Sequence, residues 1–166
     1  NVVKDCIEIS GKIDRVDVSE VDGEKVGTII DYKYKEDKNR KTDFKLTDIE
    51  EGLDLQLPIY ALALRDVFEI VPVAAEFYAL KNLKKMGIYN EELIDKLKLN
   101  IKPARKSLSV DNNEFNKLLK NAESHILKFS KEIRKGRIEL DPNIDFCGEG
   151  NCDFANVCRI DKWRLR

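Results

Sequence analysis

The sequence predicts a mixed α/β fold, a β-sheet core flanked by helices. Two strand-like segments, near 5–18 and 24–35, are separated by the turn-forming residues Val21-Asp22-Gly23-Glu24. A helical stripe of apolar residues is followed by the branched run Val71-Pro72-Val73, as in a crossover back to the same sheet. A long amphipathic pattern then ends at a glycine.

The first strand opens with Cys6-Ile7-Glu8-Ile9, whose alternation reads as a strand with Cys6 as a buried thiol, and continues through Gly11-Lys12-Ile13-Asp14-Arg15-Val16-Asp17-Val18. In the second strand Gly27, Ile29, Asp31 and Lys33 share one face, and Val26, Thr28, Ile30 and Tyr32 the other. Both faces are mostly apolar until the charged end, so the strand is expected to be buried on both sides. A polar loop follows to about residue 48. Asp48-Ile49-Glu50-Glu51 offers a capping signal, and Leu53, Leu57, Tyr60, Ala61 and Leu64 form the stripe of the next helix. Pro58 conflicts with a helix interior, so either a kink or a start near Leu55 is expected. Val71 to Leu80 reads as a third strand, parallel to a neighbour because a helix precedes it.

A Lys-rich insertion with a short helix near 90–98 comes next. Asp111-Asn112-Asn113-Glu114 is a capping box opening a helix to about Lys135, with Phe115, Leu118, Leu119, Ala122, Ile126, Phe129 and Ile133 as its buried stripe and Gly136 as its stop. His125 on this helix reads as a surface or half-buried residue rather than a catalytic one.

A chain of 166 residues, 42% hydrophobic, suits a single domain over 1–166, with its core at about 5–80 and a C-terminal helix and cysteine tail at about 111–160. No apolar stretch approaches the ~20 residues of a membrane helix, which points to a cytoplasmic protein with no membrane partner. With 30 basic and 31 acidic residues, no global field announces nucleic acid. Locally, Lys33, Lys35, Lys38, Arg40, Lys41 and Lys45 crowd one strand end, and Lys81, Lys84 and Lys85 begin a second basic stretch continued by Lys96, Lys98, Lys102, Arg105 and Lys106. These could track a phosphate backbone, although interleaved acids make a merely solvated surface the commoner outcome.

The chemistry concentrates at the charged strand ends. Asp31 and Lys33 project from one face roughly 7 Å apart along the strand, and a hairpin would bring Asp14 beside Asp31. Two carboxylates in one small volume repel unless a cation neutralises them. Magnesium fits, because it takes oxygen ligands and keeps several waters; manganese should substitute. The competing reading is a solvated Asp31–Lys33 pair, with Asp14 paired to Arg15. Asp17 faces away from Asp14 by strict alternation and reads as a partner for Arg15. Downstream, Gln56 and Tyr60 stand four residues apart on one helix face.

Gly-x-Ile-Asp14, then Asp31-Tyr32-Lys33, then Gln56-x-x-x-Tyr60, in this order, resembles the RecB-like nucleases of the PD-(D/E)xK superfamily. Gly11-Lys12-Ile13-Asp14-Arg15-Val16-Asp17 and Leu53-Asp54-Leu55-Gln56-Leu57-Pro58-Ile59-Tyr60 are similar to the AddB-type subunit of ATP-dependent helicase-nucleases. The resemblance implies a restriction-endonuclease-like sheet and a Mg-dependent deoxyribonuclease, more often an exonuclease, that acts in recombination and repair. It implies Asp14, Asp31 and the Tyr32 carbonyl as metal ligands, and Lys33 as the residue that orients or polarises the attacking water. Gln56 and Tyr60 would position Lys33 or the DNA strand. DNA and a helicase subunit or helicase-like domain are the implied partners. Members usually carry a helix before the first strand. This sequence has no initiating Met and begins at that strand, so it reads as a fragment of a larger polypeptide.

Cys147, Cys152 and Cys158 lie within twelve residues among glycines that permit tight turns. Clustered thiolates suit zinc or an iron–sulfur cluster, and each closed site needs four protein ligands. The AddB-like resemblance implies a [4Fe-4S] cluster whose fourth cysteine lies upstream of these strands, so the set is expected to be incomplete in this chain. The family tail usually has two residues between the first pair of these cysteines, whereas four stand here. Zinc, or three free thiols, are the other readings.

The expectation is therefore a DNA phosphodiesterase module of a helicase-nuclease. A catalytically silent DNA-binding or scaffolding module with the same fold is the alternative. A metal-stabilised interaction domain built on the cysteine tail is a third. No Gly-x-x-x-x-Gly-Lys-Ser/Thr loop is present, so any ATP hydrolysis belongs to another part of the machinery.

Overall fold

The computed structural model describes residues 2–4, 7–34 and 45–137. The chain divides into two compact units, 1–130 and 131–166, and only 131–137 of the second are described.

Val2–Lys4 (β1) and Ile7–Ile9 (β2) pair antiparallel as a small separate sheet. Arg15–Val21 (β3), Glu24–Lys33 (β4), Val71–Ala79 (β5), Lys84–Asn90 (β6) and Leu108–Val110 (β7) form a five-stranded sheet in that spatial order. β4 runs parallel to β5 and β6 parallel to β7, while β3–β4 and β5–β6 are antiparallel. The sheet is mixed, as the sequence predicts, and its helices are Leu46–Glu50 (α1), Gln56–Phe68 (α2), Glu91–Lys96 (α3) and Asn112–Arg134 (α4).

The β3–β4 hairpin turns at Asp22 and Gly23, with φ of 53° and 82°. Two successive left-handed residues give a two-residue turn whose twist matches that of the flanking strands, and an Asp-Gly pair adopts it with little strain. The register that follows sets Arg15 opposite Ile30 and Asp17 opposite Thr28. α2 starts beside Leu55, which resolves the Pro58 conflict. Pro58 falls in the first turn, where backbone N–H groups have no intrahelical partner to lose. α2 then carries the chain back to β5 as the crossover between two parallel strands.

One face of the sheet packs under α2 and α4. Ile29, Leu57, Ala61, Leu64, Ala75, Ile88, Phe115, Leu118 and Leu119 are buried there. Each leucine, isoleucine or phenylalanine among them contributes roughly 1.5–3 kcal/mol by leaving water. A smaller cluster of Val26, Val73, Ala74, Tyr89 and Ile94 covers the opposite face. Asp111 caps α4, its Oδ1 accepting from Glu114 N–H at 2.8 Å, and Asn90 caps α3 through Leu93 N–H at 3.1 Å.

Several details depart from expectation. Asp48 lies in the first turn of α1 rather than at its cap; the cap position is Lys45, which makes no side-chain capping bond. Leu53 lies before α2 and is exposed. Within the predicted stripe of α4, Phe129 and Ile133 are exposed, so only the first half of that helix is core. The Lys-rich insertion contains two strands, β6 and β7, that periodicity does not reveal: β6 begins with two exposed lysines, and β7 has three residues.

Candidate active site

β4 carries the site. Ile29 anchors its inner face in the core, and two and four residues on, the same face presents Asp31 and Lys33 where the sheet ends. Asp31 is 5% exposed, which is costly for a carboxylate without compensation. Compensation comes from two side chains. Lys33 Nζ stands 2.5 Å from Asp31 Oδ2, and Gln56 Nε2 donates to Asp31 Oδ1 at 3.0 Å.

Gln56, the first residue of α2, ties the group together. Its Oε1 accepts from Lys33 Nζ at 3.0 Å, while its Nε2 also donates to the Tyr60 hydroxyl at 3.0 Å. The chemistry fixes the amide orientation, because an ammonium can only donate and a carboxylate can only accept. Tyr60 lies one helical turn on, so the four-residue spacing read from the sequence brings both side chains to one spot. Beneath Lys33, the Phe77 ring lies 4.8 Å from Nζ and holds the ammonium over a buried aromatic face.

Asp14 sits just before β3 and is exposed, and its Oδ2 accepts from Tyr32 N–H at 2.9 Å. The β3–β4 ladder ends at Arg15–Ile30, so Asp14 takes over the edge of β4 where strand pairing stops. The N–H and C=O of one strand residue leave on the same edge. The Tyr32 carbonyl therefore opens toward the side from which Asp14 approaches. Asp14 does not pair with Arg15. Asp17 does, its two oxygens meeting Arg15 Nε and Nη2 at 2.6 and 2.8 Å on the opposite face, as alternation predicts. That partner pushes the Arg15 guanidinium pKa further up, so it stays charged.

The donor set can be tested against a cation. Asp31 Oδ2 is buried and has no hydrogen-bond partner; its contact with Lys33 is ionic and lacks the alignment of a hydrogen bond. An anionic oxygen left in that condition is suited to a cation. Among the described residues no group of three or more His, Cys, Asp and Glu side chains is placed to hold a metal. An ion here would rest on Asp14, Asp31 and a carbonyl, completed by water and substrate oxygens, which is the sparse all-oxygen set that magnesium accepts.

Sequence reasoning missed Phe77, whose place opposite Asp31 depends on the parallel β4–β5 register, and a buried group on the other face. There Glu76, 3% exposed, accepts from Tyr89 OH at 2.5 Å and pairs with Lys85 at 2.6 Å. Burial first, then Glu76, pushes the Tyr89 pKa up. His125 is half-buried, as expected, with Nε2 2.7 Å from the Glu50 carbonyl. Cys6, Cys147, Cys152 and Cys158 lie outside the described residues, as do Lys35, Lys38, Arg40 and Lys41. No helix among the described residues is long and apolar enough to cross a membrane.

Comparison with known proteins shows the family of the chain. The B-type subunit of the ATP-dependent helicase/deoxyribonuclease of Clostridium botulinum (strain Loch Maree / Type A3) is 26% identical over 205 residues, covering 95% of this chain. The protein of the same description from Lactococcus lactis subsp. lactis (strain IL1403) is 26% identical over 195 residues, covering 97% of the chain. That from Lachnoclostridium phytofermentans is 32% identical over 103 residues, covering 57% of the chain and 8% of the relative. The chain spans 17% of the length of the first two relatives. Residues 2–159 match the PD-(D/E)XK nuclease superfamily, and the chain, a mixed sheet whose β4 ends in Asp31 and Lys33 beside Gln56 of α2, belongs to that superfamily.

Proposed function

We propose that this chain hydrolyses DNA phosphodiester bonds with Mg²⁺, as the nuclease module of a helicase-nuclease that works in recombination and repair in the cytoplasm. The observation that carries the reading is the Gln56 bridge, which holds an acid and an ammonium together at the end of one strand. A solvated ion pair has no need of a half-buried amide to align it.

In this reading Asp14, Asp31 and the Tyr32 carbonyl hold the ion. A bound divalent ion would supply a lowered pKa for its water and charge neutralisation at the scissile phosphate. Lys33, held by Gln56 and backed by Phe77, aims its ammonium at the attacking water and at the charge developing on the phosphate. Gln56 holds Lys33 and Asp31 at one strand end, so Lys33 stays beside the site when an ion takes its place on Asp31. The Tyr60 hydroxyl accepts from Gln56, which leaves its own proton to donate to a phosphate oxygen. Degradation from a DNA end, alongside a helicase partner or domain of the longer protein, is in keeping with the relatives, which are helicase/deoxyribonuclease subunits by description.

The test is cleavage of end-labelled single- and double-stranded DNA with Mg²⁺, Mn²⁺ or EDTA, comparing the chain with Asp31→Ala and Lys33→Ala. Metal-dependent cleavage lost in both variants is expected, with product lengths separating exonuclease from endonuclease action. DNA binding without cleavage under every metal condition would replace this reading with the silent scaffold.

A further inference from the structure

The β3–β4 ladder stops at Arg15–Ile30, so Asp31, Tyr32 and Lys33 run on as the end of β4 with no β3 partner in the ladder. Alternation turns the peptide groups of Tyr32 to that edge. Its N–H donates to Asp14 at 2.9 Å, whereas the Lys33 carbonyl faces β5 and accepts from Leu80 N–H at 2.9 Å. The Tyr32 side chain lies on the sheet face opposite to Asp31 and is held from two directions. From β5, the ring of Tyr78, in register with it, lies 6.0 Å away between centroids and is inclined by 55°. From β3, Arg15 stands diagonal to Tyr32 across the last ladder pair, and its Nη1 donates to the Tyr32 hydroxyl at 3.3 Å. Asp17 grips the other side of the same guanidinium, at 2.6 Å from Nε and 2.8 Å from Nη2, and this two-pronged hold fixes the plane that aims Nη1 at Tyr32.

We propose that Arg15, oriented by Asp17, is a positioning residue for the metal site, acting through Tyr32 from the reverse face of the sheet. The inference rests on the nuclease reading, in which Asp14, Asp31 and the Tyr32 carbonyl hold the ion. Tyr32 serves that site twice, through the N–H that holds Asp14 and through its own carbonyl. A strand end that has run past its neighbour is prone to local opening, and a twist at Tyr32 would move the carbonyl and the Asp14 anchor together. Tethering the hydroxyl at the far end of the ring resists that twist. Partners that orient a ligand in this way govern metal affinity although they touch no metal. The side chains of Arg15 and Asp17 are 53% and 49% exposed, and a pair that open contributes little to the stability of the fold, so its effect lies in the geometry of Tyr32.

The test is calorimetric titration of the full 166-residue chain with Mn²⁺ in the absence of DNA, comparing Tyr32→Phe, Arg15→Met and the double variant, beside urea unfolding and cleavage of end-labelled DNA. Each single variant is expected to bind Mn²⁺ about threefold to tenfold more weakly than wild type, a modest loss for an orienting partner because the bond to Tyr32 is long. The double variant should lose no more than Arg15→Met alone, since both changes remove one contact. The sign discriminates: Arg15→Met takes away a positive charge, which by Coulomb attraction alone would tighten a divalent cation, and Tyr32→Phe changes no charge. Arg15→Lys should not restore affinity, because one ammonium cannot keep the fork on Asp17 and also reach Tyr32. Tyr32→Phe, which loses a single hydroxyl, decides the matter if Arg15→Met fails to fold by circular dichroism. Wild-type Mn²⁺ affinity in the folded variants, even with stability lost in urea, or tighter binding by Arg15→Met, would overturn the proposal, and wild-type cleavage would then leave the nuclease reading standing. Weaker Mn²⁺ binding in both variants with no cleavage by any chain supports the positioning role and removes the nuclease. A wild-type chain that neither binds Mn²⁺ nor cleaves DNA removes both.

Discussion

Lys33 Nζ lies 2.5 Å from Asp31 Oδ2, the buried oxygen that lacks a hydrogen-bond partner. The ammonium therefore occupies the charge position that a divalent ion would share, and ion binding must move Lys33 off Asp31 toward the substrate side. In the proposed reaction lysine and metal compete for one oxygen. Lys33→Met, which keeps most of the stem and removes the charge, is expected to bind Mn²⁺ several-fold more tightly than the wild-type chain, because no cation has to be displaced. The same substitution should abolish cleavage. Isothermal titration with Mn²⁺ checks the first outcome and a nuclease assay the second; weaker binding in Lys33→Met would mean that Lys33 orders the site rather than competing in it.

Gln56 should matter through position alone. It bonds Asp31, Lys33 and Tyr60, yet in the proposed reaction it touches no reacting atom. Gln56→Leu keeps the volume and the start of α2 but frees Lys33 to wander, and misplacement on the order of 1 Å costs about 10²-fold in rate. A comparable fall in kcat with KM for DNA nearly constant is expected. Tyr60→Phe keeps the ring and removes only the hydroxyl, so its loss should be smaller. A Gln56→Leu chain whose KM rises while kcat holds would place Gln56 in DNA binding instead.

The site was legible because its parts are local in sequence. Asp31 and Lys33 share a strand face by alternation, Gln56 and Tyr60 share a helix face by their spacing, and Asp22-Gly23 dictates the hairpin that brings Asp14 to β4. What sequence could not supply was register between segments far apart in the chain. Phe77 backs Lys33 only because β4 and β5 pair with Asp31 opposite Phe77, and Glu76 finds Tyr89 and Lys85 only after β6 has joined the sheet. β6 itself was hidden because exposed Lys84 and Lys85 interrupt its apolar pattern, and their cost is offset by Glu76 and the Tyr78 ring. The far half of α4 misled in the opposite sense: a helical stripe continues through Phe129 although only Phe115 to Ala122 meets the core.

Gly52 holds the turn that leads into α2, and two independent effects require a glycine there. Its φ is +77°, and a Cβ would lie 2.7 Å from the Nδ1 of His125. The same ring meets the Glu50 carbonyl at 2.7 Å, so the imidazole fills the space beside the turn. Gly52→Ala is expected to cost about 2–3 kcal/mol, roughly 1 of it from the left-handed backbone and the remainder from the clash. In a His125→Ala background only the backbone part should survive. Urea denaturation of the two single variants and the double variant measures this as a coupling, and additive losses would show that the ring yields without cost.

Tyr89 gives the fold an alkaline dependence whose sign follows from its surroundings. Burial, and then the Glu76 carboxylate that its hydroxyl donates to, disfavour the phenolate and push its pKa up in the folded chain. In the unfolded chain the phenol titrates at about 10. Below that value both states keep the proton and the stabilisation is fully present. As pH rises through 10 toward the folded value, the unfolded chain loses its proton first, so unfolding becomes progressively easier. Tyr89→Phe removes the titration but strips Glu76 of a partner, which costs about 1–3 kcal/mol near neutrality. The expected result is a wild-type advantage in urea unfolding free energy that is largest near neutral pH and shrinks above about pH 10. A gap of constant size across that range would mean that the Tyr89 phenol titrates alike in both states, and that the Glu76 contact acts only as a hydrogen bond.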